Sequence, residues 1–453
     1  MQDPRTGHPH TEIRDTIGGS QVGELTTPLT NQIPLVEELN GIKLVYQRHP
    51  GIRSVAFLVA ASVGSAVESP DLSGISHFIE HAAFKGTKSR SPYQIKLPIE
   101  RAGGHLNAFT SRVATVYYMH IPYDVFDETA DILLDLYSNP LFDSRAVELE
   151  KSVILEEIRE ALDEPSDVVF DQLTKTVWGE AFGKPILGSM ETVSRFTRED
   201  LIAYHNTNYV SGRTTVVVFG NFEPEKVKKH VREFADGIPD GPAVEPPSPP
   251  PPPKNAPKNL ILSHKKDLNQ VHIVFFKPMP GRKSGMKPIM DILNTALGSG
   301  MSSLLFEHIR EKRGLAYTIG TDMILYREGG GLFIYASTST DKFWQLSNEL
   351  KDIFERLLNH GMDRDVFEYG KNRLIGGLEL SSERALSNAF RLLDDTLNME
   401  EPRSLDRILQ ELREIDLERM NNFLREHLGG QWWLSAVGPE GFDPSQVVDQ
   451  WKL

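Results

Sequence analysis

The stretch GPAVEPPSPPPPPKNAPK at 241–258 carries nine of the chain's 29 prolines. Proline lacks a backbone N–H and has a fixed φ, so such a run joins neither a helix interior nor a sheet ladder. It favours polyproline II instead, at about 3 Å per residue and roughly 50 Å when fully extended. Placed near the middle of 453 residues, it reads as a semi-rigid linker over 241–257. An amino-terminal unit over 34–240 would precede it, and a carboxy-terminal unit over 258–453 would follow.

The two flanks share an order of elements. REDLIAYHNTNYVSGRTTVVVFGNFEPEKV (198–227) reads as helix, turn, apolar strand and the start of a following helix, and LERMNNFLREHLGGQWWLSAVGPEGFDPSQV (417–447) repeats that order. Gly220 and Gly438 close equivalent strands at an offset of 218 residues, which points to a duplicated unit. Strand-like runs occur at Lys43–Gln47, Ser54–Ala60, Thr115–Ile121, Thr214–Phe219, Val271–Phe276 and Gly331–Ala336. Helical periodicity occupies 125–138, 143–162, 286–297 and 341–360. Strands that follow one another before long helices arrive indicate an α+β fold: two duplicated units, each a mainly antiparallel sheet packed with helices. Neither GxGxxG after a strand nor GxxxxGK[ST] occurs, so a nucleotide fold is not indicated.

Charge and composition remove several functions. Acidic residues outnumber basic ones by 63 to 49, and the net charge of −14, with no local basic stripe, argues against nucleic-acid binding. No stretch approaches the roughly 18 apolar residues of a membrane span. The first 33 residues, rich in Pro, Gly and acidic side chains, read as a flexible arm without a signal or transit pattern, and a cytoplasmic location is the expectation. His8 and His10 in that arm read as solvated. The chain has no cysteine, so any metal must be held by histidine and carboxylate.

One segment supplies such ligands. In Ser73-Gly-Ile-Ser-His-Phe-Ile-Glu-His-Ala-Ala-Phe-Lys-Gly-Thr87, His77 and His81 stand four apart on a predicted helix, with Glu80 on the same side. Two imidazoles can grip one divalent ion, and the carboxylate is placed to take a proton from water. From this composition, His-x-x-(Asp/Glu)-His is expected by chance only about 0.06 times. Zinc needs a third ligand. The predicted helix from Asp143 to Glu160 offers Glu148, Glu150, Glu156, Glu157 and Glu160, among which spacing alone does not choose.

With this HxxEH segment the chain resembles the zinc metallopeptidases of the pitrilysin type, in the shorter branch that includes bacterial homologues and the mitochondrial processing peptidase. Their signature adds a glutamate about 76 residues after the second histidine, which lands on Glu157. The resemblance implies one zinc ion per chain held by His77, His81 and Glu157, with Glu80 as general base and Glu150 as an additional glutamate behind the ligands. Gly103-Gly-His-Leu-Asn-Ala-Phe-Thr-Ser111 is similar to the family's edge strand, along which an extended peptide pairs, and assigns Asn107 and Ala108 to substrate. Arg310-Glu-Lys-Arg-Gly-Leu-Ala-Tyr317 resembles the family's Arg/Tyr pair, which binds substrate carbonyls. The second half has no HxxEH.

The resemblance implies hydrolysis of unstructured or presequence-like peptides inside an enclosed chamber. Such a chamber uses four homologous units and this chain supplies two, which implies a homodimer, or a heterodimer with a homologous chain, in which Arg310 and Tyr317 serve the partner's zinc site. The rivals are a non-catalytic assembly subunit of the same fold and a zinc-holding peptide-binding module.

Overall fold

The structure, a computed structural model, describes residues 33–253, 260–398, 400–447 and 451. Residues 1–32 of the arm, with His8 and His10, and residues 254–259 of the proline-rich stretch lie outside the described residues.

The first half runs β1 (Leu35–Leu39), β2 (Ile42–Arg48), β3 (Ser54–Ala61), α1 (Ile75–Ala83), α2 (Pro92–Arg101), β4 (His105–Thr110) and β5 (Thr115–Pro122). It continues through α3 (Phe126–Ser138), α4 (Ser144–Asp163), α5 (Pro165–Gly183), α6 (Met190–Arg195), α7 (Arg198–Asn208), β6 (Thr214–Gly220) and α8 (Pro224–Ala235). The second runs β7 (Leu260–His264), β8 (Val271–Pro280), α9 (Lys287–Gly298), β9 (Thr318–Leu325), β10 (Gly329–Thr338) and α10 (Phe343–His360). Then come α11 (Arg364–Ser381), α12 (Ala385–Leu397), α13 (Leu405–Arg413), α14 (Leu417–His427) and β11 (Trp433–Gly438).

Among the described residues the strands form two sheets, ordered β1-β2-β6-β3-β5-β4 and β7-β11-β8-β10-β9. Apart from β1, replacing β2 to β6 by β7 to β11 converts one order into the other. Each sheet holds a single parallel pair, β2 with β6 and β7 with β11, amid antiparallel neighbours. Gly220 and Gly438 end the matching strands β6 and β11. The offset read from sequence therefore corresponds to a repeated topology.

Side chains alternate between the faces of a strand, so a strand reads as a continuous apolar run only when both faces are buried. Both are buried here, by helices of different origin. On one face of the first sheet, Val55, Phe57 and Val59 pack in the core with Phe78 and Ile79 of α1 and Ile154 and Ile158 of α4. On the other, Ala56, Leu58 and Ala60 meet Ala385, Ala389, Leu392 and Leu393 of α12, from the second half. The second sheet mirrors this: Ile273 and Phe275 join a core of the second half's helices, whereas Val274, Phe276, Phe333 and Trp433 meet Val169, Leu173, Val177 and Trp178 of α5. Each half thus lends one helix to the other's outer sheet face.

Residues 241–253 consequently do not hold two bodies apart. Gly212 N–H donates to Gly241 O at 3.2 Å on the first half, Ser248 Oγ accepts from Glu328 N–H at 3.2 Å, and Glu245 pairs with Arg327 at 2.9 Å on the second. The extended spacer expected from composition gives way to a strap, because burying the two outer faces outweighs the stiffness of the prolines.

Trp178 is almost wholly buried, with ring centroids 5.6 Å from Phe333 and 6.1 Å from Phe276. Trp178→Ala is expected to cost about 3–5 kcal/mol in urea unfolding. Wild type should lose both sheets in one transition; two separated transitions would contradict the exchange of helices as the basis of its stability.

Candidate metal centre

The centre is built where α1 crosses α4. Helix α1 is almost entirely buried, with Ile75, Phe78, Ile79 and Ala82 in the core, and so is fixed in rotation. Helix α4 is capped by Asp143, whose side chain accepts from Ala146 N–H at 3.0 Å. Its buried stripe, Val147, Glu150, Ile154 and Ile158, has helical spacing, and the one polar member, Glu150, comes to lie under α1. Glu157, two turns on from Glu150, emerges half-buried beside the two histidines.

Glu157 Oε2 stands 3.8 Å from His77 Nε2 and 3.6 Å from His81 Nε2, and the donor atoms of the three side chains all lie within 4.8 Å of one another. These separations exceed a hydrogen bond. They match what one ion demands, since donors about 2.0–2.1 Å from a tetrahedral zinc lie about 3.3 Å apart. Burial, helped by the neighbouring His81, pushes His77 down to about 3, so its ring is neutral at pH 7 and keeps a lone pair for a metal. Two imidazoles and one carboxylate form a donor set that fits zinc.

The histidines are supported unequally. His81 Nδ1–H donates to Glu150 Oε2 at 3.2 Å, which leaves Nε2 facing Glu157, and Lys85 Nζ holds the other Glu150 oxygen at 2.6 Å. This chain of contacts orients the ring and increases its basicity. Among the described residues His77 Nδ1 is buried without a hydrogen-bond partner, so on that side packing holds the ring. Glu80 accepts a 2.7 Å hydrogen bond from Thr110 Oγ1 on β4. Burial raises the Glu80 carboxyl above its ordinary value, opposed by the Thr110 hydrogen bond and His81 and reinforced by Glu157. A half-buried carboxyl raised in this way holds a proton more readily than a solvated one, which suits a group that accepts and returns a proton.

Two cavities flank the cluster. One, of about 490 Å³, is lined by His77, Glu80, Ala108, Arg112, Asp167 and Asp171. The other, of about 360 Å³, is lined by Glu80, His81, Phe84, Lys96, Asn107 and Glu150. Asn107 and Ala108 therefore open to opposite sides of Glu80, on a strand that among the described residues ends the sheet and has no partner on its outer edge. Arg310 lies 5.5 Å from the ring of Tyr317, itself 72% exposed, and neither residue lines the two cavities.

Sequence reasoning missed Asp167 and Asp171. Their spacing of four after Pro165 was visible as a single helix face, but carboxylates on a helix are usually solvated, and nothing local indicated that this face meets a cavity. Burial pushes Asp171 up to about 6, with Arg112 pulling it back. Thr110 was equally silent, because its role depends on β4 lying over α1.

Comparison with known proteins identifies the family. Residues 43–189 match the model of the Insulinase (Peptidase family M16) family, and 195–374 match that of the Peptidase M16 inactive domain. A Bacillus subtilis protein named as an uncharacterized zinc protease is 34% identical over 410 residues, spanning 90% of this chain and 98% of the relative. A similarly named Mycobacterium leprae protein is 32% identical, over 88% of this chain and 90% of the relative. Among solved structures, a protease from Helicobacter pylori superposes with a TM-score of 0.82 at 20% identity, covering 90% of this chain and 99% of that one. A structure described as a peptidase M16 inactive domain from Pseudomonas fluorescens reaches 0.79 at 16% identity, over 90% and 98% of the two chains. By these matches the chain belongs to the M16, pitrilysin-type, family of metallopeptidases.

Proposed function

We propose that this protein is a zinc-dependent endopeptidase acting on unstructured peptides. The observation that carries the reading is the convergence of His77, His81 and Glu157 on one point with Glu80 beside them. His77, His81 and Glu157 would hold the ion. When bound, zinc supplies Lewis acidity toward water and toward the scissile carbonyl. Glu80, oriented by Thr110, takes the proton of the attacking water and returns it to the leaving amine. The free edge of β4 binds the substrate main chain as an added strand, and the cavities beside Asn107 and Ala108 receive its side chains.

The cavity bearing Asp167 and Asp171 has one cation, Arg112, among its lining residues. That cation is already engaged by Phe182 O at 3.1 Å and Thr174 Oγ1 at 3.2 Å. The cavity therefore suits a basic substrate side chain. Arg310 and Tyr317 would serve the site of a second subunit in a homodimer, which accounts for an exposed phenol stacked with a cation away from the cavities.

Glu80→Gln should retain zinc by elemental analysis while kcat falls about 10²–10⁴-fold; near-normal turnover would remove Glu80 as the base, and zinc binding with peptide capture but no cleavage by wild type would favour the binding-module reading. Chelation should abolish cleavage of an unstructured peptide and added zinc should restore it. For a substrate with a basic residue, kcat/KM should fall as pH drops through about 6, because the raised Asp171 carboxyl is charged only above that value. Asp171→Asn should remove that slope relative to a neutral substrate. Inactive His81→Ala and Arg310→Ala subunits should regain activity when mixed, and no rescue would count against sites shared between subunits.

A further inference from the structure

The metal-binding helix starts without the usual means of holding its end. The N-cap of α1 is Gly74, with φ 95° and no side chain to accept from the first turn. The first turn of a helix leaves N–H groups unpaired, and an isolated buried end of that kind is costly. Two donors at this end are met from elsewhere: Gly74 N–H donates to Glu68 Oε2 and Ser76 N–H to Glu68 Oε1, each at 2.9 Å. The Glu68 side chain is fully buried. Lys184 Nζ donates to Glu68 O at 2.6 Å and lies 3.9 Å from the carboxylate.

We infer that Glu68 and Lys184 are positioning residues for the zinc site, fixing the axial and rotational register of α1 through its first turn. His77 follows Ser76 directly, so the atom that meets Glu68 Oε1 is one residue from a metal ligand. Glu80 and His81 follow one turn later on the same helix. A carboxylate whose two oxygens take two N–H groups fixes direction as well as distance, and its charge complements the positive end of the helix dipole. Burying this ion pair costs desolvation that an apolar pair of equal volume avoids, so its benefit lies in orientation.

The segment that supplies Lys184 reinforces the lock. Thr192 Oγ1 donates to Ser73 O at 2.7 Å. A Cβ at Gly188 would lie 2.4 Å from Ser73 O, and one at Gly74 would lie 2.6 Å from Leu187 O, so the two backbones touch only because both residues are glycine. Pro185, Ile186 and Leu187, between these anchors, wall the cavity beside His77. One stretch of chain therefore shapes the substrate cavity and holds the helix carrying the ligands.

The inference rests on the zinc-site reading above, and its test separates the two. Burial pushes the Glu68 carboxyl up to about 7 against the two N–H donors and Lys184, so measurements at about pH 8 read the ionised cap. In metal-free Glu68→Gln, amide hydrogen exchange over 74–78 should quicken about 10-fold while the sheets stay protected. Zinc affinity, by competition with a chromophoric chelator, should weaken about 10-fold. The kcat should fall at least about 10-fold with KM nearly unchanged, because a small displacement of the base acts on the transition state. Lys184→Met should move the same quantities in the same direction by less. Unchanged exchange over 74–78 in Glu68→Gln, or faster exchange spread evenly through the protein, would overturn the inference. Failure of wild type to bind zinc would overturn the zinc-site reading, and the exchange comparison would still decide whether Glu68 holds the helix.

Discussion

Two sheets whose strands are apolar on both faces cannot each be covered from one side only. Helices of the same half pack on one face of each sheet, and the opposite face would leave Ala56, Leu58 and Ala60, or Val274, Phe276 and Trp433, against water. At about 25 cal/mol per Å² of apolar surface, covering such faces stabilises the fold more than any single hydrogen bond or surface ion pair does. The solution is reciprocal, with α12 crossing to the first sheet and α5 to the second. The path of the proline-rich strap and the joint burial of the two halves follow from that exchange.

The site depends on the same arrangement. Helix α5 begins two residues after α4 ends, so Glu157, Asp167 and Trp178 lie on one short stretch of chain. Its far end packs Trp178 into the second sheet, and its near end carries the carboxylates that line the cavity beside His77. Anchoring α5 across the halves thereby fixes a wall of the cavity. Arg112 ties the two roles together, since it contacts the Trp178 ring at 5.6 Å, donates to Phe182 O and borders the cavity.

What was legible in the sequence was what depends on near neighbours along a helix or strand. The spacing of His77, Glu80 and His81 needs only a helix to become a face, and the apolar runs at Ser54–Ala60 and Thr214–Phe219 needed only their composition to be read as strands. The choice of Glu157 among five glutamates was not legible from spacing; it came from resemblance to a family. In the structure Glu150 is turned inward to His81 Nδ1, while Glu157 faces the Nε2 atoms of both histidines. The exchange of α5 and α12 had no local sign, because a helix stripe does not state which sheet it covers. Glu68 was hidden for a similar reason. A glutamate in the turn-rich segment Glu68-Ser-Pro-Asp-Leu-Ser-Gly74 looks solvated until the chain folds it beneath a helix that lacks its own cap.

The duplication also separates scaffold from chemistry. Helix α9 occupies in the second half the place of α1 in the first, between the matching strands β8 and β9, as α1 lies between β3 and β4. Its sequence, KPIMDILNTALG, contains no histidine, and Ile289, Met290, Ile292 and Leu293 are buried much as Ile75, Phe78 and Ile79 are. The burial that fixes a helix on a sheet is therefore common to both halves, whereas among the described residues the polar set is found in one: the candidate ligands on α1 and α4, the Glu150–Lys85 support, the Thr110 hydroxyl and the Glu68 cap. An apolar helix can tolerate small shifts along its axis, since packing contacts exchange for similar ones. A helix that is to present two imidazoles and a carboxylate to one point within fractions of an ångström cannot, and on the proposed zinc-site reading this physical difference gives the buried carboxylate at the start of α1 its purpose.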